Sequence, residues 1–201
     1  MKIDLSNLPK RAQDTPIQKR DLDVKQSAGL DNLHHGIFAR FKAEAPVGSF
    51  FGPASELEIS SAEAELGVSF PNGYKQFLRL FGAADWPDYI AGVGKGLIRS
   101  LQFVSLTLQE RTEAIPQLAH DLVAFSPDGR GNHYCLDTCQ MADEECPVII
   151  WNHDGTSDQR RQMTNQSFAD WLSEQINWEL EFEAECASED DADSKKTFDS
   201  D

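Results

Sequence analysis

Residues 122–151 read LVAFSPDGRGNHYCLDTCQMADEECPVIIW, in which three short apolar runs are separated by two polar breaks. The runs are rich in the aliphatic and aromatic side chains that favour strands. They comprise residues 122–125, 133–136 and 147–151. In the first break, Pro127, Asp128 and Gly129 supply the fixed φ, the side-chain acceptor and the positive φ that a tight turn requires. We therefore predict an antiparallel hairpin with the third run as a partner strand, and this meander is the expected spine of the fold.

The composition indicates a globular protein of one domain with tails. The chain has 201 residues, of which 40% are hydrophobic, and this length can bury a core without disulfides or metal. Its four cysteines are unevenly spaced, which predicts reduced thiols. The longest apolar run, residues 148–151, is far shorter than the ~20 residues that span a bilayer, and residues 1–14 lack a signal-peptide stretch. We therefore expect a soluble, cytoplasmic protein.

The net charge of −16 is spread over the body of the chain as well as its C-terminal end. Residues 46–178 carry eighteen acidic and eight basic side chains, and residues 179–201 carry ten acidic and two basic ones. Such a surface repels nucleic acid phosphates and anionic membranes, and it attracts basic proteins over roughly a Debye length. The charge therefore disfavours a nucleic acid or a membrane as partner. It is compatible with simple solubility or with a basic protein partner.

Helix-start and helix-stop residues predict a pair of short helices ahead of the meander. Ser60 and Glu63 have the spacing of a capping box, and Gly67 stands where a helix C-cap residue is expected. Pro71 is placed to begin a second helix that Gly82 ends. The buried stripe of this helix comprises Tyr74, Phe77, Leu78 and Phe81.

The two ends of the chain are predicted to lie outside the domain. Residues 1–27 are polar with mixed charges and two prolines, which is typical of a flexible N-terminal arm. Residues 30–41 have apolar side chains at helical spacing and form a predicted first helix. Residues 187–201 have too few apolar side chains to offset the entropy of ordering, which predicts a disordered acidic tail.

The remaining segments are predicted from weaker patterns. Residues 100–114 fit a strand or a helix, and we favour a helix that ends before Pro116. Residues 89–93 form a candidate edge strand, and the polar residues after the meander are expected to be a loop. Ser167 is placed to cap a final helix. The predicted inward face comprises Phe168, Trp171, Leu172, Gln175, Ile176 and Leu180, with Trp178 and Phe182 as its continuation.

The order of these motifs resembles that of the SUKH superfamily, the Smi/Knr-like domains common among bacterial immunity proteins. The pattern I-x3-E-x2-LG-x2-(L/F)P-x2-Y-x2-FL occupies residues 59–78, and a DG-x-G-N-x-Y-x-LD stretch occupies residues 128–137. PVIIWNHD and SFADWL follow in family order at residues 147–154 and 167–172. The chain departs from the family after the FL helix, where FGAADW stands in place of an Asn-Gly-Gly-like turn.

The resemblance implies a single α+β domain over residues 28–186. In this domain, helices would pack on one side of a curved antiparallel sheet of about four to six strands. The resemblance also implies the role of an antitoxin, which binds a cognate toxin domain, frequently a nuclease, and occludes its active site.

The spacing of the cysteines and histidines disfavours a metal site. Thiolate and imidazole suit zinc, and five such side chains lie within 21 residues. They are His133, Cys135, Cys139, Cys146 and His153. There is no CxxC, and His133 and Cys135 would share a strand face while Cys139 lies in the following loop. We predict no metal and a core position for Cys135.

Catalytic chemistry is also disfavoured. Asp128, Asp137, His153 and Asp154 could serve as acids or bases, but each has an ordinary role in a turn or at a strand end. The sequence has no GxSxG elbow, P-loop, HExxH or GxGxxG. A Cys–His nucleophile pair depends on spatial proximity and stays open at this point. We predict a protein that is not an enzyme and binds no cofactor.

Acidic loops are the candidate surface for binding a partner. Trp86 places aromatic surface beside Asp85 and Asp88, and exposed loop aromatics are often anchors for protein partners. Alternatively, Trp86 folds back over the edge of the core. The remaining candidate residues are the loop acids Asp128, Asp143, Glu144 and Glu145.

These observations leave two classes of function. In the first, the chain is an immunity protein whose carboxylates occupy the cleft of a basic nuclease toxin and whose charge raises the association rate. In the second, it is an acidic protein–protein interaction or regulatory scaffold module of the same fold without a toxin partner.

Overall fold

The computed structural model describes residues 34–94, 97, 102–156, 159 and 161–198. This part of the chain forms five α-helices and four strands. The helices are α1 (34–44), α2 (Glu56–Leu66), α3 (Asn72–Phe81), α4 (Phe103–Thr112) and α5 (Phe168–Phe198). The strands are β1 (Leu122–Pro127), β2 (His133–Asp137), β3 (Val148–Trp151) and β4 (Gln162–Asn165). The predicted arm, residues 1–27, lies outside the described residues.

The four strands form one open, curved antiparallel sheet in the order β1–β2–β3–β4. Val123 of β1 pairs with Leu136 of β2, and Cys135 pairs with Ile149 of β3. The predicted meander is therefore confirmed. In the turn between β1 and β2, a carboxylate oxygen of Asp128 accepts hydrogen bonds from the backbone N–H groups of Arg130 (2.8 Å) and Asn132 (2.9 Å).

Strand β4 corrects the predicted polar loop after the meander. Gln162 pairs with Ile150, and Met163 pairs with Ile149. The side chains of this edge strand are mostly exposed, so its sequence shows no apolar alternation. Residues 89–93 show the opposite departure, since they make isolated bridges, such as that between Ala84 and Ile90, instead of a continuous strand.

The main core is aromatic and lies on one face of the sheet. Val123, Phe125, Leu136 and Val148 face side chains of α1, α3 and α5. The largest of these buried side chains include Phe41, Tyr74, Phe77, Phe168 and Trp171. The alternate strand residues Leu122, Ala124, Cys135 and Ile149 form a smaller cluster with Leu118 and Trp151. This arrangement is the predicted α+β domain.

The predicted C-cap residues of α2 and α3 are confirmed, and the predicted N-cap residue of α2 is corrected. Gly67 (φ 70°) and Gly82 (φ 71°) are the C-cap residues of α2 and α3, and Pro71 is the N-cap of α3. The capping box of α2, however, is formed by Ser55 and Glu58. The predicted box is wrong because Ser60 already lies inside the helix, where its hydroxyl donates to the Leu57 carbonyl.

The segment 100–114 contains α4, as the favoured helical interpretation predicted. Residues 98–101 lie outside the described part. On its buried face, the guanidinium of Arg111 donates to the carbonyls of Leu66, His120 and Leu122. These bonds attach α4 to the end of α2 and to the start of β1.

Helix α5 begins at the predicted cap, where the Ser167 hydroxyl accepts from the Asp170 N–H at 3.1 Å. It continues to Phe198, and the disorder predicted for residues 187–201 stays a prediction. Neither Pro nor Gly interrupts residues 187–198. Among the helices of the described chain, none is long and apolar enough to cross a membrane.

Candidate partner-binding site

The structure places Trp86 in the core. Its side chain is 6% exposed, and its indole ring stacks on Phe41 with centroids 5.8 Å apart. The prediction of an exposed anchor at Trp86 is therefore wrong, and the alternative, in which the ring folds back over the core, describes it. Neighbouring Asp85 remains exposed.

Glu145 is also buried, with 9% of its surface exposed. One carboxylate oxygen accepts the Gly73 N–H at 2.7 Å and lies 3.3 Å from Nε2 of His34. Burial is the main cause that raises the pKa of Glu145 to about 7, and repulsion by Asp170 and Glu144 adds to it. Its position identifies Glu145 as a structural carboxyl group at the start of α3, which corrects its prediction as a surface contact.

Asp143 and Glu144 are exposed in the tight turn that precedes Glu145, where both have positive φ values. The backbone carbonyl of Glu144 accepts the Asn72 N–H at 2.8 Å, and its carboxylate accepts from the Asn72 side chain at 2.6 Å. These contacts tie the turn to the N-terminus of α3. The Glu144 side chain is therefore held by the same helix that Glu145 supports.

Asp88 and Asp128 lie together in a surface pocket that we call the acidic groove. The groove joins the loop after α3, the β1–β2 turn and α5. It is lined by Asp88, Asp128, Arg130, Tyr134, Glu174, Gln175 and Trp178. The structure thus brings two of the predicted acids together and adds Glu174, whose position on α5 the loop-based prediction did not consider.

Local hydrogen bonds position the three carboxylates of the acidic groove. Asp88 accepts the Tyr89 N–H at 2.7 Å. Asp128 is held by its turn, and its second oxygen accepts from the Asn132 side chain at 2.6 Å. Glu174 accepts from Asn165 of β4, also at 2.6 Å. Each carboxylate is therefore held by a hydrogen bond from a neighbouring residue on its own side of the groove.

The pKa shifts of Asp88 and Tyr134 indicate negative charge around them, whereas the pKa of Asp128 is lowered, against the effect of burial, by its hydrogen bonds and by the charge of Arg130. Burial raises the pKa of Asp88, and the charge of Asp128 raises it further. Burial likewise raises the pKa of Tyr134, and Asp128, Asp88 and Glu174 add to the shift. Such mutual repulsion favours a positively charged group at this place.

Exposed aromatic rings stand beside these acids. Trp178 is 62% exposed, and Phe182 is 51% exposed on the next turn of α5. Their rings are parallel within 7° at a centroid distance of 5.8 Å. Tyr89, next to Asp88, is 53% exposed. The interpretation of Trp178 and Phe182 as a continuation of the buried face is wrong, because helical spacing does not show where along a helix the neighbouring core ends.

The zinc candidates are not assembled into a site. Cys135 and Cys146 are buried and Cys139 is exposed, while His133 stacks on Trp151 and lies 3.4 Å from Glu110. Among the described residues, the group with ligand atoms close enough to share an ion is Asp121, Asp137 and Cys139. The guanidinium of Arg161 already donates to both carboxylates. A cation therefore occupies this position.

The thiols of Cys135, Cys139 and Cys146 lack the lowered pKa of a nucleophile. Hydrogen bonds to Asp137 and Asp121 raise the pKa of Cys139 to about 11, and burial raises that of Cys146 to about 12. Burial also raises the pKa of Cys135 far above its ordinary value. Catalytic cysteines require the opposite shift. The Cys–His chemistry that the sequence left open therefore has no support in these environments.

A comparison with known families identifies the class of this fold. Residues 53–174 match the SMI1 / KNR4 family (SUKH-1). The match covers more than half of the chain, and the chain belongs to this family. The resemblance seen in its motifs is thereby confirmed. Asp88, Asp128 and Glu174 lie within the matched range, whereas Trp178 and Phe182 lie beyond it.

Proposed function

We propose that this protein is an immunity protein that binds a cognate polymorphic toxin, a basic nuclease domain, and occludes its active site in the cytoplasm. The observation that carries the proposal is the acidic groove with its exposed aromatic rings on a SUKH-1 domain. The family supplies the class of function. The acidic groove is the surface that would contact the toxin.

Charge supports a basic partner. The chain has a net charge of −16, and a nuclease cleft that binds phosphates is itself positively charged. Long-range attraction between such surfaces accelerates their encounter, while the buried centre of an interface determines how long the complex lasts. Asp88, Asp128 and Glu174 would take the places of substrate phosphates in the cleft.

The exposed rings supply the apolar part of the interface. Tryptophan, tyrosine and arginine are the residues on which binding energy most often concentrates. Trp178 and Tyr89 present such surface next to carboxylates, a pattern typical of protein interfaces. Exposed Asp85, Asp143 and Glu144 remain proposed contributors, and we expect their effect to be mainly on the association rate.

The test is co-expression with a candidate toxin that has a basic nuclease domain, followed by size exclusion and a nuclease assay. A stable one-to-one complex with suppressed nuclease activity is the expected result. Absence of a complex and of growth rescue would overturn the proposal. The chain would then be better described as an acidic interaction or scaffold module of the same fold.

A further inference from the structure

We propose that the acidic groove is an arginine-recognition site, in which a guanidinium from the partner stacks on Trp178 between the carboxylates of Asp88, Asp128 and Glu174. The inference rests on the proposed function and deepens it, since it specifies the chemical group that the immunity protein recognises. It is carried by an aromatic helix face that is exposed among the described residues, and by the charge around it.

The aromatic wall of the groove is unusual within this chain. Of its four tryptophans, Trp86, Trp151 and Trp171 are buried, and Trp178 alone is exposed. The ring of Phe182 stacks on the indole and extends the apolar face. A flat π-surface at the edge of a negative pocket is a favourable place for a planar cation.

The carboxylates retain capacity to bind such a cation. Asp88 uses one oxygen to accept the Tyr89 N–H, and Glu174 uses one to accept from Asn165. Within the part of the chain that the structure describes, the other oxygen of each has no hydrogen-bond donor. A guanidinium has five N–H donors in a plane, which suits two carboxylates on facing walls.

The spacing of the acids favours an organic cation over a metal ion. Oxygens of all three do not lie within 4.8 Å of one another, unlike the ligand atoms of Asp121, Asp137 and Cys139 around Arg161. A bare ion could not be shared by all three carboxylates, whereas a guanidinium is broader. Lysine would place a compact, strongly hydrated charge there and could not stack on the indole. Arginine is therefore the side chain that fits.

Arg130 provides an internal comparison. This exposed residue lines the groove, and its backbone N–H binds Asp128. The positive charge of Arg130 contributes to lowering the pKa of Asp128, and this charge would compete with a cation from outside. Removal of this charge by Arg130→Gln is therefore expected to strengthen the binding of a partner arginine.

Titration with blocked hexa-arginine and hexa-lysine peptides tests the inference without the toxin. We expect hexa-arginine to change the fluorescence of Trp178 and to bind more tightly than hexa-lysine at about 50 mM salt. Trp178→Ala and Glu174→Gln should each weaken the affinity for hexa-arginine by about 5- to 30-fold, and Arg130→Gln should strengthen this affinity. The matched control is Glu113→Gln, which removes one exposed carboxylate outside the groove and should change affinity little.

Two outcomes would overturn the inference: equal binding of both peptides, or equal effects of Glu174→Gln and Glu113→Gln. Thermal unfolding of each variant verifies that the exposed substitutions leave the fold intact. The affinity of the same variants for the toxin is then measured. If the toxin binds and groove variants do not weaken it, the inference fails and the proposed function stands. If no toxin binds while hexa-arginine still selects the groove, the proposed function fails alone.

Discussion

Glu145 is a carboxyl group whose protonation is linked to folding. It accepts the Gly73 N–H and lies beside His34, while its neighbours Glu144 and Asp170 repel its charge. Burial raises its pKa from 4.5 to about 7. The folded state therefore holds this proton more tightly than the unfolded state does. The contribution of the protonated Glu145 to the free energy of unfolding is fully present below pH 4.5 and is lost as the pH rises through 7.

We predict that Glu145→Gln stabilises the protein at pH 8. The amide keeps an acceptor for Gly73 and removes the cost of ionisation, so the free energy of unfolding should rise by about 1–3 kcal/mol. Its dependence on pH between 5 and 7 should become flatter. Urea unfolding at several pH values measures both effects, with Glu144→Gln as the exposed control. Destabilisation at pH 8 would mean that Glu145 is ionised and paired with a charged His34.

Arg161 joins two carboxylates of very different exposure. Its guanidinium donates two hydrogen bonds to Asp121, at 2.7 and 2.8 Å, and one to Asp137, which is fully buried. Gln140 also donates to Asp137 at 2.6 Å. The buried carboxylate therefore depends on Arg161 more than the partly exposed one does.

Arg161→Gln is expected to lower the free energy of unfolding by about 2–4 kcal/mol, because it leaves the Asp137 charge buried without a cation. Asp121→Asn removes the partly exposed partner and should cost less than about 1 kcal/mol. Chemical denaturation of the two variants gives the comparison. Similar losses in both would show that the pair with Asp121 matters as much as burial of Asp137.

At the level of the secondary-structure element, the N-cap residue of helix α2 is Ser55. Ser55 has extended backbone angles and accepts the Glu58 N–H, and Glu58 in return accepts the Ser55 N–H at 2.8 Å. We predict that Ser55→Ala destabilises the protein by about 1 kcal/mol. Ser60→Ala, at the serine that the sequence pattern favoured, should change stability by only a few tenths of a kcal/mol. Thermal melting distinguishes them, and a larger loss at Ser60 would contradict this assignment.

Local chemistry explains which elements could be predicted from sequence. Gly67, Gly82 and Ser167 have roles that depend on backbone angles and on nearest neighbours, and their predictions are confirmed. The meander was predictable because its turn residues and apolar runs agree. Ser55 was missed because both serines have Glu three positions later, and only the backbone angles separate them.

The candidate site depends on tertiary context and was predicted less well. Acid-rich loops pointed to Asp88 and Asp128, which do lie together. Trp86 and Glu145 were chosen for their composition and loop positions, but the core covers both. Trp178 was assigned to the core because a helical stripe carries no information about the length of the surface it packs on. Charge and local pattern thus identify a region, whereas exposure requires the fold.

At the scale of the whole molecule, the C-terminal part of α5 can be tested for its contribution to the domain. Side chains of residues 181–188 are exposed, so deletion of residues 187–201 should change the free energy of unfolding by less than about 0.5 kcal/mol. Far-UV circular dichroism of the truncated and full-length chains then measures how much helical signal the deleted residues contribute. A loss of helical signal supports the helix through Phe198, and an unchanged signal supports the predicted disorder. A large loss of stability would instead make the tail part of the domain.

The final prediction concerns how the charge of the whole molecule acts on a partner. If a net charge of −16 steers the encounter with a basic toxin, the association rate constant should fall about tenfold or more between ~20 mM and ~150 mM salt, because the Debye length shortens. The dissociation rate should change less, since it depends on the buried centre of the interface. Stopped-flow mixing gives both constants. Neutralisation of the distant acid in Glu113→Gln should slow association slightly, whereas Trp178→Ala should mainly speed dissociation. A salt-independent association rate would remove the electrostatic part of the proposal and leave recognition to the aromatic contacts of the groove.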